Sequence, residues 1–439
     1  MDLRPVSIYQ LALRTFTPEG TLKAAERLLP HIAGCGFTHI QLTPVVEAEE
    51  IADPAHWSVR QAASGMNNPR NPYILKDYYR IDPEYGDEAD LRSFIREAHA
   101  LGLKVLLDLV YYHCGRHATL VTEHPDWMIC DENGEVKIGR WNTPSPDYTV
   151  PELREYMWKN MEYFIREFDC DGYRCDVGDM VPFAFWEEGI RRCRALKPDI
   201  FMVNEGREAA WLKVFACDYF YEGCFDIIKV PKAEMTAAAW RALWQECRDR
   251  VGEGGRVLRF LDNHDVCSDS YEDRYEKVVG NEAMEALHVL NFTMDGIPFV
   301  FNGNELADEL KHNMFSNRFC GRDDTLQWEN VLCPNGQRRM AVVRALNDLR
   351  ARVPGMNCGE LTWIGHDSPD AVLAFLRPGG DADILVAVNL RDEPVSVRLD
   401  LKADILRTEL ESGVRARRGR DGIALQMLGY GYLVASVRR

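Results

Sequence analysis

Eight short apolar runs recur over roughly the first 350 residues, most of them separated by longer amphipathic stretches. The runs are VSIYQLAL, THIQLTPV, KVLLDLVYYH, CDGYRCDV, IFMVNEG, FDIIKV, VLRFLDNHD and IPFVFNG. Each has the length and continuity of a strand buried on both faces. Among the intervening stretches, EADLRSFIREAHALG and PELREYMWKNMEYFIREF read as helices; in the first, apolar or small residues return every three or four positions and Gly102 marks the stop. Strands alternating with helices build a parallel sheet covered on both faces, and eight such units predict an α/β fold, a (β/α)8 TIM barrel. A doubly wound open sheet is the alternative, but no glycine-rich phosphate loop follows the first run.

The pattern changes near residue 355. LTWIGH, AVLAFLRP, DILVAVNL, VSVRLDL and GYLVASVR are short, alternating and separated by turn formers, which predicts an antiparallel β-sandwich domain. The expected division is a catalytic barrel over 1–354 and a C-terminal β-sandwich domain over 355–439. Within the barrel, 114–150 reads as a short excursion after the third strand, with turn signals such as DENGE and TPSPD. The segment AHWSVRQAASGMNNPRNPYILKDYY, after the second strand, is also long and rich in turn formers. Long ordered loops on one barrel face build sites.

Composition narrows the function classes. The formal net charge of −17 disfavours nucleic acid and anionic membrane as partners, since both need a basic footprint. The N-terminal MDLRPVSIYQLALRTF lacks the basic, apolar and small-residue segments of a signal peptide, and no apolar run has bilayer-spanning length. The thirteen cysteines include no CxxC pair, and Cys170, Cys175 and Cys224 lie in apolar runs. Buried free thiols in a reducing cytoplasm are expected.

Polar residues gather at the strand ends, where barrels carry their chemistry. Asp108 and His113 follow the third run, Arg174 and Asp176 lie on the fourth, Glu205 ends the fifth, and Asn263, His264 and Asp265 end the seventh. Arg174 and Asp176 are two residues apart, so on a strand they share a face. Alone they read equally as a structural ion pair. Carboxylates, imidazoles and a guanidinium from four strand ends argue for a site.

The motifs DLVYYH, GYRCDV, VNEG and FLDNHD, in this order and at this spacing, resemble those of the α-amylase family, glycoside hydrolase family 13. IYQLALRTF, GFTHIQLTPV, NPYILKDYYRIDPEYGD and GIPFVFNGNE extend the resemblance, and the β domain extends it over essentially the whole chain. The resemblance implies a retaining glycoside hydrolase acting on α-glucosidic bonds, with Asp176 as nucleophile, Glu205 as general acid/base and Asp265 as the third carboxylate. It further implies Tyr73, His113 and His264 as sugar contacts and Asp108 as a partner of Arg174. Two carboxyls about 5–5.5 Å apart, in opposite protonation states, are what retention requires. Arg174 is expected to favour an ionised Asp176 by its charge, whereas Glu205, in MVNEG, has no cation before it in sequence and is expected to hold a proton to higher pH. Trp57, Trp127 and Trp141 are possible sugar platforms, each read more simply as packing.

Two departures bear on cofactors. Tyr112 stands where the family has an asparagine, and VGDM follows Asp176 where many members carry Lys-His. Tyrosine is a poor ligand for a hard cation, so no calcium or other metal is expected at the family's usual site. The resulting expectation is a cytoplasmic hydrolase of short α-linked oligosaccharides. A transglycosylase or isomerase using the same intermediate is the alternative, and a non-catalytic sugar-binding homologue a third reading. Linkage, chain length and oligomeric state stay open.

Overall fold

The computed structural model describes residues 5–439 except 220, 253, 269–272, 321–323 and 419–421. Its central sheet has eight parallel strands: β1 (Ile8–Leu11), β2 (His39–Leu42), β3 (Lys104–Leu109), β4 (Gly172–Cys175), β5 (Phe201–Asn204), β6 (Asp218–Tyr219), β7 (Val257–Arg259) and β8 (Ile297–Phe301). Their order is β5-β4-β3-β2-β1-β8-β7-β6. A parallel bridge between Val203 and Cys217 joins the two ends and closes the ring. Helices α1 (Glu88–Ala100), α2 (Pro151–Phe168), α3 (Phe183–Leu196), α4 (Ala237–Val251), α5 (Asn281–Thr293) and α6 (Pro334–Arg352) follow strands in turn. In α1, Asp87 and Asp90 form a reciprocal capping box and Leu91, Phe94, Ile95 and Ala98 face the core.

The sixth strand is not where the apolar pattern puts it. FDIIKV forms the end of a helix, Tyr221–Asp226, and a 3-10 turn, Ile227–Lys229, while the strand lies just upstream at Asp218–Tyr219. A short apolar run fits a buried helical turn as well as a strand, and periodicity alone does not separate them. Two excursions leave the barrel. Between β2 and β3, Ala48–Glu50 pairs antiparallel with Arg70–Leu75, and the short helix Val59–Ala63 lies between them. After β3, residues 114–150 carry the helix Thr119–Glu123 and isolated bridges such as Met128–Pro146.

The C-terminal region is one antiparallel sheet of six strands: β9 (Thr362–Trp363), β10 (Val372–Arg377), β11 (Asp383–Asn389), β12 (Val395–Leu399), β13 (Asp404–Arg418) and β14 (Ile423–Arg438). β14 pairs with β12 through residues 423–427 and with β11 through residues 432–437, and β13 runs along its other edge. Alternation sends successive side chains to two cores. Leu373, Phe375, Val386, Val388, Tyr432 and Val434 join the barrel's core. Ala374, Leu376, Leu385, Ala387, Leu433 and Ala435 join a second one, completed by Val397, Leu399, Ile423, Leu425 and Met427 as the sheet curls over. Tyr432 also donates to Glu285 of α5 at 2.7 Å, and α5 is buried from Ala283 through Thr293, as expected of a helix covered on all sides.

Gly172 opens β4 against β5, and a Cβ there would lie 1.9 Å from the Phe201 carbonyl oxygen. Gly172→Ala is therefore expected to destabilise the fold by about 1–3 kcal/mol or more, read as a lower denaturant midpoint at unchanged slope.

Candidate active site

Strand register assembles the charged cluster. Asp108 of β3 lies directly beside Arg174 of β4, and Arg174 lies beside Val203 of β5. Asp176 is two residues beyond Arg174 and Glu205 two beyond Val203, so all share one face at the carboxyl end of the barrel. Arg174 Nη1 donates to Asp108 Oδ1 and Oδ2 at 2.8 and 3.0 Å and to Asp176 Oδ1 at 2.7 Å. Its Nη2 donates to Glu205 Oε2. One buried guanidinium thus holds three carboxylates.

This corrects the expectation that Glu205 lacks a cation. The sequence places none before it on its own strand, but register brings Arg174 across from β4. Glu205 Oε2 also accepts from the Val177 amide at 2.8 Å, and Oε1 accepts from the Tyr221 hydroxyl at 2.6 Å. Val177 has φ 39° and ψ 45°, a left-handed conformation that is costly for a β-branched residue, by about 1–3 kcal/mol. The turn right after Asp176 is therefore strained, and it aims an amide at Glu205.

Asp265 enters from the other side. Asn263 caps the helix His264–Ser268, its Oδ1 accepting from the amides of Asp265 and Val266 at 3.0 and 2.8 Å. Gln10 Oε1 accepts from the His264 amide at 3.0 Å, and Gln10 Nε2 lies 2.8 Å from His264 Nδ1. That amide orientation makes Nδ1 the acceptor and Nε2 the N–H, 3.7 Å from Asp265 Oδ2. The Tyr73 ring stacks on His264 at 5.1 Å and its hydroxyl donates to Asp108 at 3.0 Å. A cavity of about 470 Å³ opens over the cluster, lined by Tyr73, His113, Asp176, Glu205, His264 and Asp265 with Trp141 and Arg60. Arg174, Asp108 and Asn263 lie behind this lining. Of the three tryptophans considered, Trp141 lines the cavity, with its ring 5.1 Å from His113. Trp57 donates to the Ile51 carbonyl and Trp127 stacks on His124.

Two contacts have no counterpart in the motif reading. Arg60, on the short helix between β2 and β3, pairs with Asp265. Tyr221 holds Glu205 from the start of the helix that runs into the segment read as the sixth strand. The turn-former richness of the segment between β2 and β3 signals the first, and nothing in the sequence signals the second.

Burial dominates the electrostatics. It pushes Asp176 well above the usual carboxylate range, with repulsion from Glu205, Asp108 and Asp265 adding to it and Arg174 pulling the other way. Asp108 is pushed up to about 6 by burial against the pull of Arg174 and Tyr73. Arg174 does favour ionised Asp176, but burial, with the neighbouring carboxylates adding to it, outweighs that pull. Asp265 goes the other way: burial would raise it, and His264, Arg60 and Arg174 together bring it below its usual value. Burial takes His113 and His264 down to about 4, leaving both neutral at pH 7.

Asp218 supports the loop after Glu205. It accepts from the Gly206 and Tyr219 amides, each at 2.7 Å, and from Asn204 Nδ2 at 3.1 Å. Burial raises it to about 7. Its unfolded value is near 3.9, so the folded state holds an extra proton between about pH 4 and 7. This stability contribution is complete below about pH 4 and is lost as pH rises through about 7. Asn204 Oδ1 is buried without a hydrogen-bond partner, so a flipped Asn204 amide accommodates an asparagine at 218. Asp218→Asn is expected to fold and to flatten the decline in unfolding free energy over that range, by up to about 1.4 kcal/mol per pH unit.

Comparison with known proteins agrees with this fold. Residues 12–133 match the family model described as alpha amylase, catalytic domain. A cyclomaltodextrinase of Geobacillus thermopakistaniensis is 22% identical over 95% of this chain and 70% of its own length. Neopullulanase 2 of Thermoactinomyces vulgaris is 26% identical over 87% of this chain and 64% of its own. The crystal structure of a maltogenic α-amylase from Thermotoga neapolitana superposes with a TM-score of 0.81 at 26% identity, covering 99% of both chains. With its closed barrel, its C-terminal β sheet and these matches, the chain is similar along its length to proteins of the α-amylase type.

Proposed function

We propose that the protein is a retaining glycoside hydrolase that cleaves α-glucosidic bonds in short oligosaccharides through a covalent glycosyl–enzyme intermediate. The observation that carries this reading is the single guanidinium of Arg174 holding both Asp176 and Glu205 at the floor of the cavity. Sharing one cation draws the pair together. Retaining enzymes hold two carboxyls about 5–5.5 Å apart, whereas inverting ones leave about 6.5–9.5 Å for a water.

Arg174 holds Asp176 Oδ1, which assigns Oδ2 to the attack on the anomeric carbon. Glu205 protonates the glycosidic oxygen as the carbon–oxygen bond breaks and its electron pair goes to that oxygen. This step needs the proton on Glu205 and an ionised Asp176. In the second half, Glu205 takes a proton from water, the water oxygen bonds to the anomeric carbon, and Asp176 leaves. Asp265, kept ionised, accepts hydrogen bonds from sugar hydroxyls, and the neutral His264 offers its Nε2–H. Tyr73 and His113 complete the wall around the sugar. The cytoplasm is the proposed compartment, supported by thirteen free cysteines, most of them buried.

Asp176→Asn and Glu205→Gln are expected to lower kcat on maltotriose by roughly a thousandfold or more. Proton NMR of the wild-type reaction is expected to show the α-anomer as first product. A β-anomer formed first would mean inversion and would remove Asp176 as nucleophile.

A further inference from the structure

We infer that Tyr221 is a positioning residue for the acid/base carboxyl, holding the oxygen of Glu205 that carries the catalytic proton. The inference rests on the assignment of Glu205 as general acid.

The two oxygens of Glu205 are not equivalent. Oε2 accepts from two nitrogens, Arg174 Nη2 and the Val177 amide, so its acceptor directions are occupied and it has no room for an outward proton. Oε1 accepts from the Tyr221 hydroxyl alone among the described contacts, at 2.6 Å. A protonated carboxyl has one O–H and still accepts at its remaining lone pairs. With the proton on Oε1, Tyr221 donates to the same oxygen from one side while the proton faces the cavity. In the first step that proton passes to the glycosidic oxygen, whose bond to the anomeric carbon breaks with its electrons. Tyr221 gains and loses no proton.

The phenol is held for this task. Its ring stacks on Tyr219 at 5.1 Å and 21° and lies 5.8 Å from Phe225 at 21°. The Arg207 guanidinium lies 4.8 Å over the same ring. Tyr221 begins the helix Tyr221–Asp226, directly after β6, so its hydroxyl reaches Glu205 from an element of the barrel itself. Removing that hydroxyl leaves the Arg174 and Val177 contacts on Oε2 and frees the carboxyl to turn about them.

The test compares two substrates. Fluoride leaves α-glucosyl fluoride with little protonation, whereas maltotriose needs the acid. Tyr221→Phe is expected to lower kcat/KM, which reports the first half of the reaction alone, by roughly 10- to 100-fold on maltotriose and by less than about threefold on the fluoride. Equal losses on the two substrates, or none on maltotriose, would overturn the inference. Glu205→Gln serves as the reference. If it shows the split and Tyr221→Phe does not, Tyr221 alone is misassigned. If Glu205→Gln lowers kcat/KM equally on both substrates, the assignment of Glu205 falls and this inference with it. A retained rate on the fluoride also reports that the variant is folded.

Discussion

The site depends on one guanidinium. Arg174 is almost completely buried and binds Asp108, Asp176 and Glu205 at once. A planar fork with several fixed donors does this, and a lysine with one compact charge does not. Without it, three carboxylates would face each other in a poorly solvated pocket, an arrangement that breaking a buried pair shows to be costly by about 3–5 kcal/mol. Burial, with more carboxylates than cations around Arg174, is also what raises Asp176 and Asp108 above the usual carboxylate range. A fully neutralised site would have no acid to offer, and a fully ionised one would push its own members apart.

The parts that need the highest precision stand on strand ends or directly after them. Asp108, Arg174, Asp176 and Glu205 are placed by parallel register, which the ring closure fixes for every strand. Asp265 is placed by a capped helix start. Around them the scaffold carries local strain and buried polar support: left-handed Val177 beside Asp176, and Asp218 tying down Gly206 beyond Glu205. Gly206 and Gly178 leave no room for a side chain, since a Cβ at either would lie 2.3 Å from an Asn204 side-chain atom. The outer wall is built from loops instead. Arg60 comes from the excursion between β2 and β3 and Trp141 from the one after β3, the latter also in a left-handed conformation at φ 58°. Chemistry is thereby set by the barrel and access by the excursions.

Much of this was legible in the residues. Alternating apolar and amphipathic runs read directly as a barrel, because strands buried on both faces are apolar throughout. The strand-end residues from Asp108 to Asp265 converge because parallel strands put all their carboxyl ends on one side. What escaped was lateral. The cation on Glu205 lies on a neighbouring strand, so its own sequence neighbours are silent about it. FDIIKV is apolar enough for a strand yet forms the end of a helix and a 3-10 turn, and Tyr221 opens that helix just ahead of it. Strand β13 escaped for the opposite reason: DILRTELESGVRARR is an exposed edge rich in charge, the form edge strands take when they resist pairing with other chains. Arg60 sits on a five-residue helix inside a loop, where no periodicity points to the partner it meets.

The central claim is that Asp176 attacks carbon while Arg174 and Glu205 manage its charge and the proton. Its most direct test is trapping of the intermediate. Incubation with 5-fluoro-α-glucosyl fluoride, followed by trypsin digestion and fragment mass spectrometry, should place a fluoroglucosyl group on Asp176, within the peptide Cys175–Arg191. A label on any other residue, or full turnover with no covalent species in Glu205→Gln, would contradict the account.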